Sequence, residues 1–306
     1  MRTVVVDELE RLAEQNDRIS IMTADLGYGV MESFASKFPD RFFNVGISEQ
    51  LMASAAAGMA LCGRIVCMYS IGNFVTLRCI EQIRNDICYH NANVKIIAVG
   101  GGVSYGQLGM SHHATEDIAM MRALPNMKVF VPADPDEARK VTRYALDVNC
   151  PCYVRLARCG EPVLYPKGQV SDITKIQLAV PGTDVALIAC GPILNEAIKA
   201  AERLLSNHIS TAVFSVPCVN PLDSRTIKQI AKKYSLLISM EEHQTVGGLG
   251  SAIAEVVSTM GCVHGRLHCL GLPNEYVSIV GCHDYLCRHY GLKADAVAET
   301  VSNLLR

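Results

Sequence analysis

Charge is thin in this sequence and never gathers into runs of Lys or Arg. Only 19% of its 306 residues are charged and the formal net charge is -2, so there is no electrostatic footprint for nucleic acid or an anionic membrane. Membrane-length apolar runs are also missing. The longest, 51–62, is Ala- and Gly-rich and falls well short of the roughly 20 residues that span a bilayer. No signal-peptide block opens the chain: MRT leads straight into VVVDELERLAEQ, the pattern of an amphipathic helix. Among 13 cysteines there is no CxxC pair and no Cys/His spacing of a zinc site. An odd cysteine count without an export signal reads as reduced thiols in a cytoplasmic protein. Cys62, Cys67, Cys79, Cys88 and Cys190 lie on apolar segments and are expected to pack as small core hydrophobes.

What is present is apolar and globular. Half of the residues are hydrophobic, which implies surface buried against other subunits as well as within the fold. The length allows two domains, each with its own core. Strand-like runs at 19–24, 64–69, 94–99 and 128–131 alternate with helical stretches, one of them running through Ile83. The Pro-Ala-Asp-Pro at 132–135 starts another helix, with Glu137 near its beginning. A break with Pro162, Pro166, Gly168, Pro181 and Gly182 follows. Beyond it strands are expected at 184–189, 211–216 and 236–240, and helices at 195–206 and 251–260. Such alternation predicts an α/β fold of two doubly wound domains, 1–170 and a smaller 180–306.

Three segments carry candidate chemistry. In NVGISEQ (44–50), Ser48 can cap a helix and Glu49 falls in its first turn; a carboxylate favoured by the helix dipole is the plain alternative. The run GGGVSYGQLGMSHH (100–113) follows an apolar strand, where glycines let backbone approach a ligand closely. It is neither a dinucleotide fingerprint nor a P-loop. Adjacent histidines rarely share one metal, so a hydrogen-bonding or catalytic His on a ligand-facing loop is expected. In YVRLARCG (153–160), Arg155 and Arg158 sit near a strand end. Either could grip an anion, or be salt-bridged or solvated.

In this order these segments resemble the transketolase family. The further markers are ADL at 24–26, Phe74 with EQIR at 81–84, GxxGMSHHATED at 106–117, ALPN at 123–126, VPAD at 131–134 and LAR at 156–158. EEHxxxGGLG at 241–250 extends the likeness more loosely into the second half. The resemblance implies a thiamine-diphosphate-binding, pyrimidine-type domain followed by a smaller transketolase C-terminal-like domain. It makes Glu49 the partner of the aminopyrimidine N1′ atom and Phe74 the ring that stacks on the pyrimidine, with aliphatic Ile71 beside it. Asp25 lies near the cofactor, His112 contacts the reacting oxygens of the donor, and Arg158 takes the terminal phosphate. Leu108 stands in place of an aspartate that reads a hydroxyl, and Gly100 in place of a second phosphate-contacting histidine. A site lacking two polar contacts is expected to take an unusual ketose donor, branched, deoxygenated or carrying sulfonate. For His243 the family reading is mainly structural.

The family's Gly-Asp-Gly motif for the metal-bound diphosphate has no counterpart in this chain. The resemblance therefore implies a separately encoded subunit that holds no metal itself. A partner N-terminal subunit would hold the diphosphate with Mg²⁺ (or Ca²⁺) in an α2β2 assembly, with sugar phosphate or sulfosugar as substrate. The implied reaction transfers a two-carbon ketol unit to an aldose. The alternatives are the β subunit of a 2-oxoacid dehydrogenase and a non-catalytic regulatory subunit of the same fold. A synthase joining pyruvate to an aldehyde phosphate fits less well, because that family carries both halves in one chain.

Overall fold

The computed structural model describes residues 1–158, 160–165, 172–261 and 265–306. Cys159 and, within the expected linker, Pro166 and Gly168 lie outside the described residues. Six strands come first: β1 Ile19–Thr23, β2 Phe42–Asn44, β3 Ile65–Ile71, β4 Val94–Val99, β5 Lys128–Phe130 and β6 Cys152–Leu156. Six more follow: β7 Gln177–Val180, β8 Val185–Cys190, β9 Thr211–Ser215, β10 Cys218–Asn220, β11 Leu236–Gln244 and β12 Arg266–Leu272. They form two mixed, mostly parallel sheets, ordered β10-β5-β6-β4-β3-β1-β2 and β12-β11-β8-β9-β7. The antiparallel pairings are β10 on β5 and β7 on β9.

Strands β1, β4, β6 and β8 are buried at every residue, as parallel strands covered on both faces must be. One face of the first sheet is covered by helices Arg2–Ala13 and Pro135–Asp147, through Val5, Leu9, Ala138 and Val141. Helix Glu49–Leu61 covers the other through Met52, Ala53 and Ala56. Each of the two apolar clusters takes in residues of both sheets, so the domains share cores. No helix among the described residues is long and apolar enough to cross a membrane.

Several elements depart from the sequence reading. The helical stretch expected to close at Ile83 continues as a π-helical turn, Ile83–Cys88, because Ile83 and Ile87, four residues apart, both point into the core. Residues 218–220 leave the second sheet to edge the first. Strand β11 does not stop at Met240 but runs through Glu241, Glu242 and His243. Ser48 occupies the N-cap of helix Glu49–Leu61 without a side-chain capping bond. Cys62 is exposed, unlike Cys67, Cys79, Cys88 and Cys190, which are buried free thiols.

Candidate active site

Strand direction decides where the singled-out residues meet. Asp25, Glu49, Phe74, His112 and Arg158 follow β1, β2, β3, β4 and β6 in turn. All five therefore fall at the carboxyl edge of a parallel sheet, where loops gather around ligands. Glu49 opens helix Glu49–Leu61 with only 4% of its surface exposed. Both of its oxygens face Arg78 Nη1, at 3.4 and 3.3 Å. The Arg78 guanidinium lies 3.8 Å above the centre of the Phe74 ring. Phe74 meets His112 edge-on at 5.0 Å, His112 is 6.3 Å from Tyr105, and Arg158 lies 5.4 Å over Tyr105. An unbroken string of charged and aromatic groups thus runs from Glu49 to Arg158.

Local hydrogen bonds hold this string in place. Asn73, next to Phe74, donates from Nδ2 to the Ser111 carbonyl at 2.7 Å, which ties the loop after β4 to the turn after β3. Ser111 Oγ lies 3.0 Å from His112 Nδ1. Burial, and then the charge of Arg78, push the His112 pKa below its ordinary 6.5, so its imidazole is neutral near pH 7. Asp25 adopts φ 53°. Its backbone N–H donates to Asn44 Oδ1 at 3.0 Å, and Tyr28 donates to its carboxylate at 2.6 Å. These bonds fasten the turn after β1 to the segment that leads into Glu49. Ile71 ends β3 and is half-buried.

The glycine cluster after β4 serves the protein's own side chains. A Cβ on Gly100 would lie 2.0 Å from the Tyr105 ring, and one on Gly102 would lie 2.4 Å from Glu242 Oε1. Both have positive φ, so glycine is needed on two counts. At Gly100 and Gly102 that space is taken by Tyr105 and Glu242, whereas a Cβ on Gly109 would meet only Val280, at 3.9 Å. Leu108 ends the short turn Gly106–Leu108 and is 54% exposed.

The transketolase pyrimidine binding domain model matches residues 1–159, and the transketolase C-terminal domain model matches residues 174–297. This chain belongs to the transketolase family. A putative transketolase C-terminal section from Methanocaldococcus jannaschii is 35% identical, over 98% of this chain and 95% of that protein. One of the subunits of an apulose-4-phosphate transketolase from Actinobacillus succinogenes is 32% identical, over 94% and 92%. A 1-deoxy-D-xylulose-5-phosphate synthase from Heliobacterium modesticaldum is 34% identical, but this chain spans only 46% of it. Among solved structures, a split-gene transketolase described as an inactive β4 tetramer superposes with a TM-score of 0.88 at 34% identity, covering 99% of this chain and 96% of that one.

Two further residues, Arg78 and Tyr105, complete this cluster. Arg78 bridges Glu49 and Phe74 across the turn after β3, which gives it no sequence signal. Tyr105, one aromatic within a glycine loop, links His112 to Arg158. Arg155, weighed beside Arg158 as an anion ligand, is buried and engaged elsewhere. Its Nε lies 2.7 Å from Asp117, and its Nη2 donates to the Ala114 and Glu242 carbonyls.

The EEH run also has a structural use. Glu241 accepts from the N–H groups of Leu249 and Gly250 at 2.7 and 2.9 Å, capping helix Leu249–Ser258. His243 is fully buried. Its Nδ1 lies 2.6 Å from the Gln244 carbonyl and its Nε2 accepts from Ala119 N–H at 3.3 Å. Burial lowers its pKa, as suits a neutral imidazole whose Nε2 reaches across to the first domain at Ala119.

Proposed function

We propose that this chain is the pyrimidine-contacting half of a two-subunit, thiamine-diphosphate-dependent transketolase, moving a two-carbon ketol unit from a ketose donor to an aldose. The carrying observation is Arg78. A flat cation stacks on Phe74 while its N–H edge meets the Glu49 carboxylate. A protonated aminopyrimidine needs the same two partners, an aromatic face and an acceptor at its edge, so the residues present fit that ring. When bound, the coenzyme supplies a carbon nucleophile and an electron sink for the two-carbon fragment. Glu49 holds a proton at N1′, an interaction that gains strength in a site closed to water. Ile71 and Asp25 border the ring. Neutral His112 orients and exchanges protons with the donor's oxygens, and Arg158 holds the terminal phosphate or sulfonate. Tyr105 fills the space beside Gly100, and Leu108 offers no hydrogen bond. Both features favour a branched or deoxygenated donor, in line with relatives named for apulose 4-phosphate.

The division at 1–170 and 180–306 belongs to the same reading, as does a partner carrying the diphosphate and Mg²⁺ (or Ca²⁺) in an α2β2 complex. Relatives named as a C-terminal section, or as one of two or more transketolase subunits, support it. A second reading, two-carbon transfer from pyruvate, is carried by the synthases at 32–34% identity. The deciding experiment reconstitutes the chain with the N-terminal subunit and screens ketose donors and pyruvate. Ketose turnover that falls about 10²–10⁴-fold in Glu49→Gln, with an unchanged melting temperature, supports the ketol-transfer reading. Undiminished turnover in that variant leaves a regulatory subunit. Tight coenzyme binding by the isolated chain contradicts the divided site.

A further inference from the structure

Three metal-binding side chains from distant parts of the sequence converge on one point beside the junction of the two domains. Glu242 lies in β11, while His283 and Cys287 are one turn apart on helix His283–His289 and share a face of it. His283 Nε2 is 2.7 Å from Glu242 Oε2 and 3.4 Å from Cys287 Sγ, and all three donor atoms lie within 4.8 Å of one another. Tetrahedral zinc, with bonds of roughly 2.0–2.3 Å, separates its donors by about 3.3–3.6 Å. The nitrogen–sulfur spacing already matches, and the oxygen–nitrogen pair has to open by less than about 1 Å. One thiolate, one imidazole and one carboxylate suit Zn²⁺ or Co²⁺ better than the hard cations Mg²⁺ and Ca²⁺.

The donors are also pre-oriented. Glu242 is 5% exposed and Cys287 2%. Val103 N–H donates to Glu242 Oε1 at 2.9 Å, which leaves Oε2 turned toward His283, the kind of outer support that fixes a ligating carboxylate. A cavity of about 380 Å³, reaching Arg158 and Lys293, opens onto the cluster, so a fourth coordination position is accessible from it.

We propose that Glu242, His283 and Cys287 form a zinc-class divalent cation site with one open position. On binding, the Cys287 thiol gives its proton to solvent, the proton shared by His283 Nε2 and Glu242 Oε2 leaves likewise, and Sγ, Nε2 and Oε2 bond the metal. The ion then clamps helix His283–His289 to β11 and, through Val103, to the loop that carries His112. None of this depends on the ketol-transfer reading.

Cobalt titration of the reduced, chelator-stripped full chain tests the site. The expected result is one equivalent per chain, with a thiolate-to-cobalt charge-transfer band and intense tetrahedral visible bands. Cys287→Ser loses the charge-transfer band. His283→Asn, at a half-exposed position, weakens cobalt binding by more than about tenfold, since even outer partners of a metal ligand are worth that much. A charge-transfer band absent from the unaltered chain, or surviving in Cys287→Ser, overturns the site, the latter by assigning the band to another of the 13 cysteines. If Cys287→Ser fails to fold, unchanged cobalt affinity in folded His283→Asn overturns it equally.

Discussion

The junction between the two sheets and the rim from Glu49 to Arg158 use the same residue types in opposite ways. At the junction most polar groups are paired, although Asp117 Oδ1 is buried without a partner. Arg155 serves three acceptors, Tyr153 donates to Asp117 at 2.5 Å, Glu241 takes two helix N–H groups, and His243 is engaged at both nitrogens. At the rim, Arg78 is 46% exposed and holds Glu49 at the long end of hydrogen-bonding distance, while Arg158 is exposed and rests on an aromatic face. Saturated groups have nothing left to give a ligand, and removing one strands its partners in a dry interior. Rim groups keep unused bonding capacity. The comparison separates Glu49 from Glu241, and Arg158 from Arg155, on bonding rather than on residue type. Glu242 stands between the two classes, with one oxygen held by Val103 and the other paired with half-exposed His283.

The comparison breaks most readily at Arg155. Its guanidinium is 4% exposed against an Asp117 carboxylate at 1%, so Arg155→Met leaves a buried charge without its cation. A loss of about 3–5 kcal/mol is expected, read as a lowered urea midpoint. A loss below about 1 kcal/mol would place the junction with the rim. A somewhat smaller effect concerns pH. Burial, only partly offset by bonds from Ala133 N–H and Ser215 Oγ, raises Glu137 from its ordinary 4.5 to about 7. The fold therefore favours the neutral acid. That contribution is complete below about pH 4.5 and is lost as pH climbs to about 7, a change of roughly 3 kcal/mol. Glu241 is likewise raised to about 7. Glu137→Gln, which keeps an acceptor for Ala133, should remove about half of the stability loss between pH 4.5 and 7. An unaltered slope in denaturant titrations refutes this.

Legibility in the sequence followed locality. Strands β4 and β8 could be read because unbroken apolar runs are what a parallel sheet covered on both faces requires. Helix Arg2–Ala13 was legible from its amphipathic period. His112 and Arg158 follow strands that can be read from the sequence, whereas β2, which leads to Glu49, cannot. Arg78 could not be placed from sequence, since its importance lies in two contacts made across a turn rather than in any spacing. Gly100 shows a related limit: a missing Cβ leaves room, and sequence does not say that Tyr105 will fill it. The extension of β11 through Glu241–His243 was hidden because buried acids look like a strand's end until their partners, N–H groups far along the chain, are in place. The convergence of Glu242 with His283 and Cys287 spans 45 residues of sequence, which no local motif records.

Arg78 is where the smallest structural effect should meet a visible functional one. Its ion pair with Glu49 and its stacking on Phe74 are half-exposed, and such contacts contribute at most about 1 kcal/mol each. Arg78→Met should therefore shift the unfolding free energy by no more than about 2 kcal/mol, below the Arg155 effect. If the guanidinium occupies the place of the aminopyrimidine, it competes with the coenzyme for both Glu49 and Phe74. Removing a competitor worth about 0.5–1 kcal/mol tightens binding about two- to five-fold. The measurement is the thiamine diphosphate dissociation constant of the reconstituted complex. Tighter binding with unchanged stability makes Arg78 a placeholder. Weaker binding makes it a ligand of the coenzyme, and the rim then spends its bonding capacity on the coenzyme as fully as the junction spends its own on the fold.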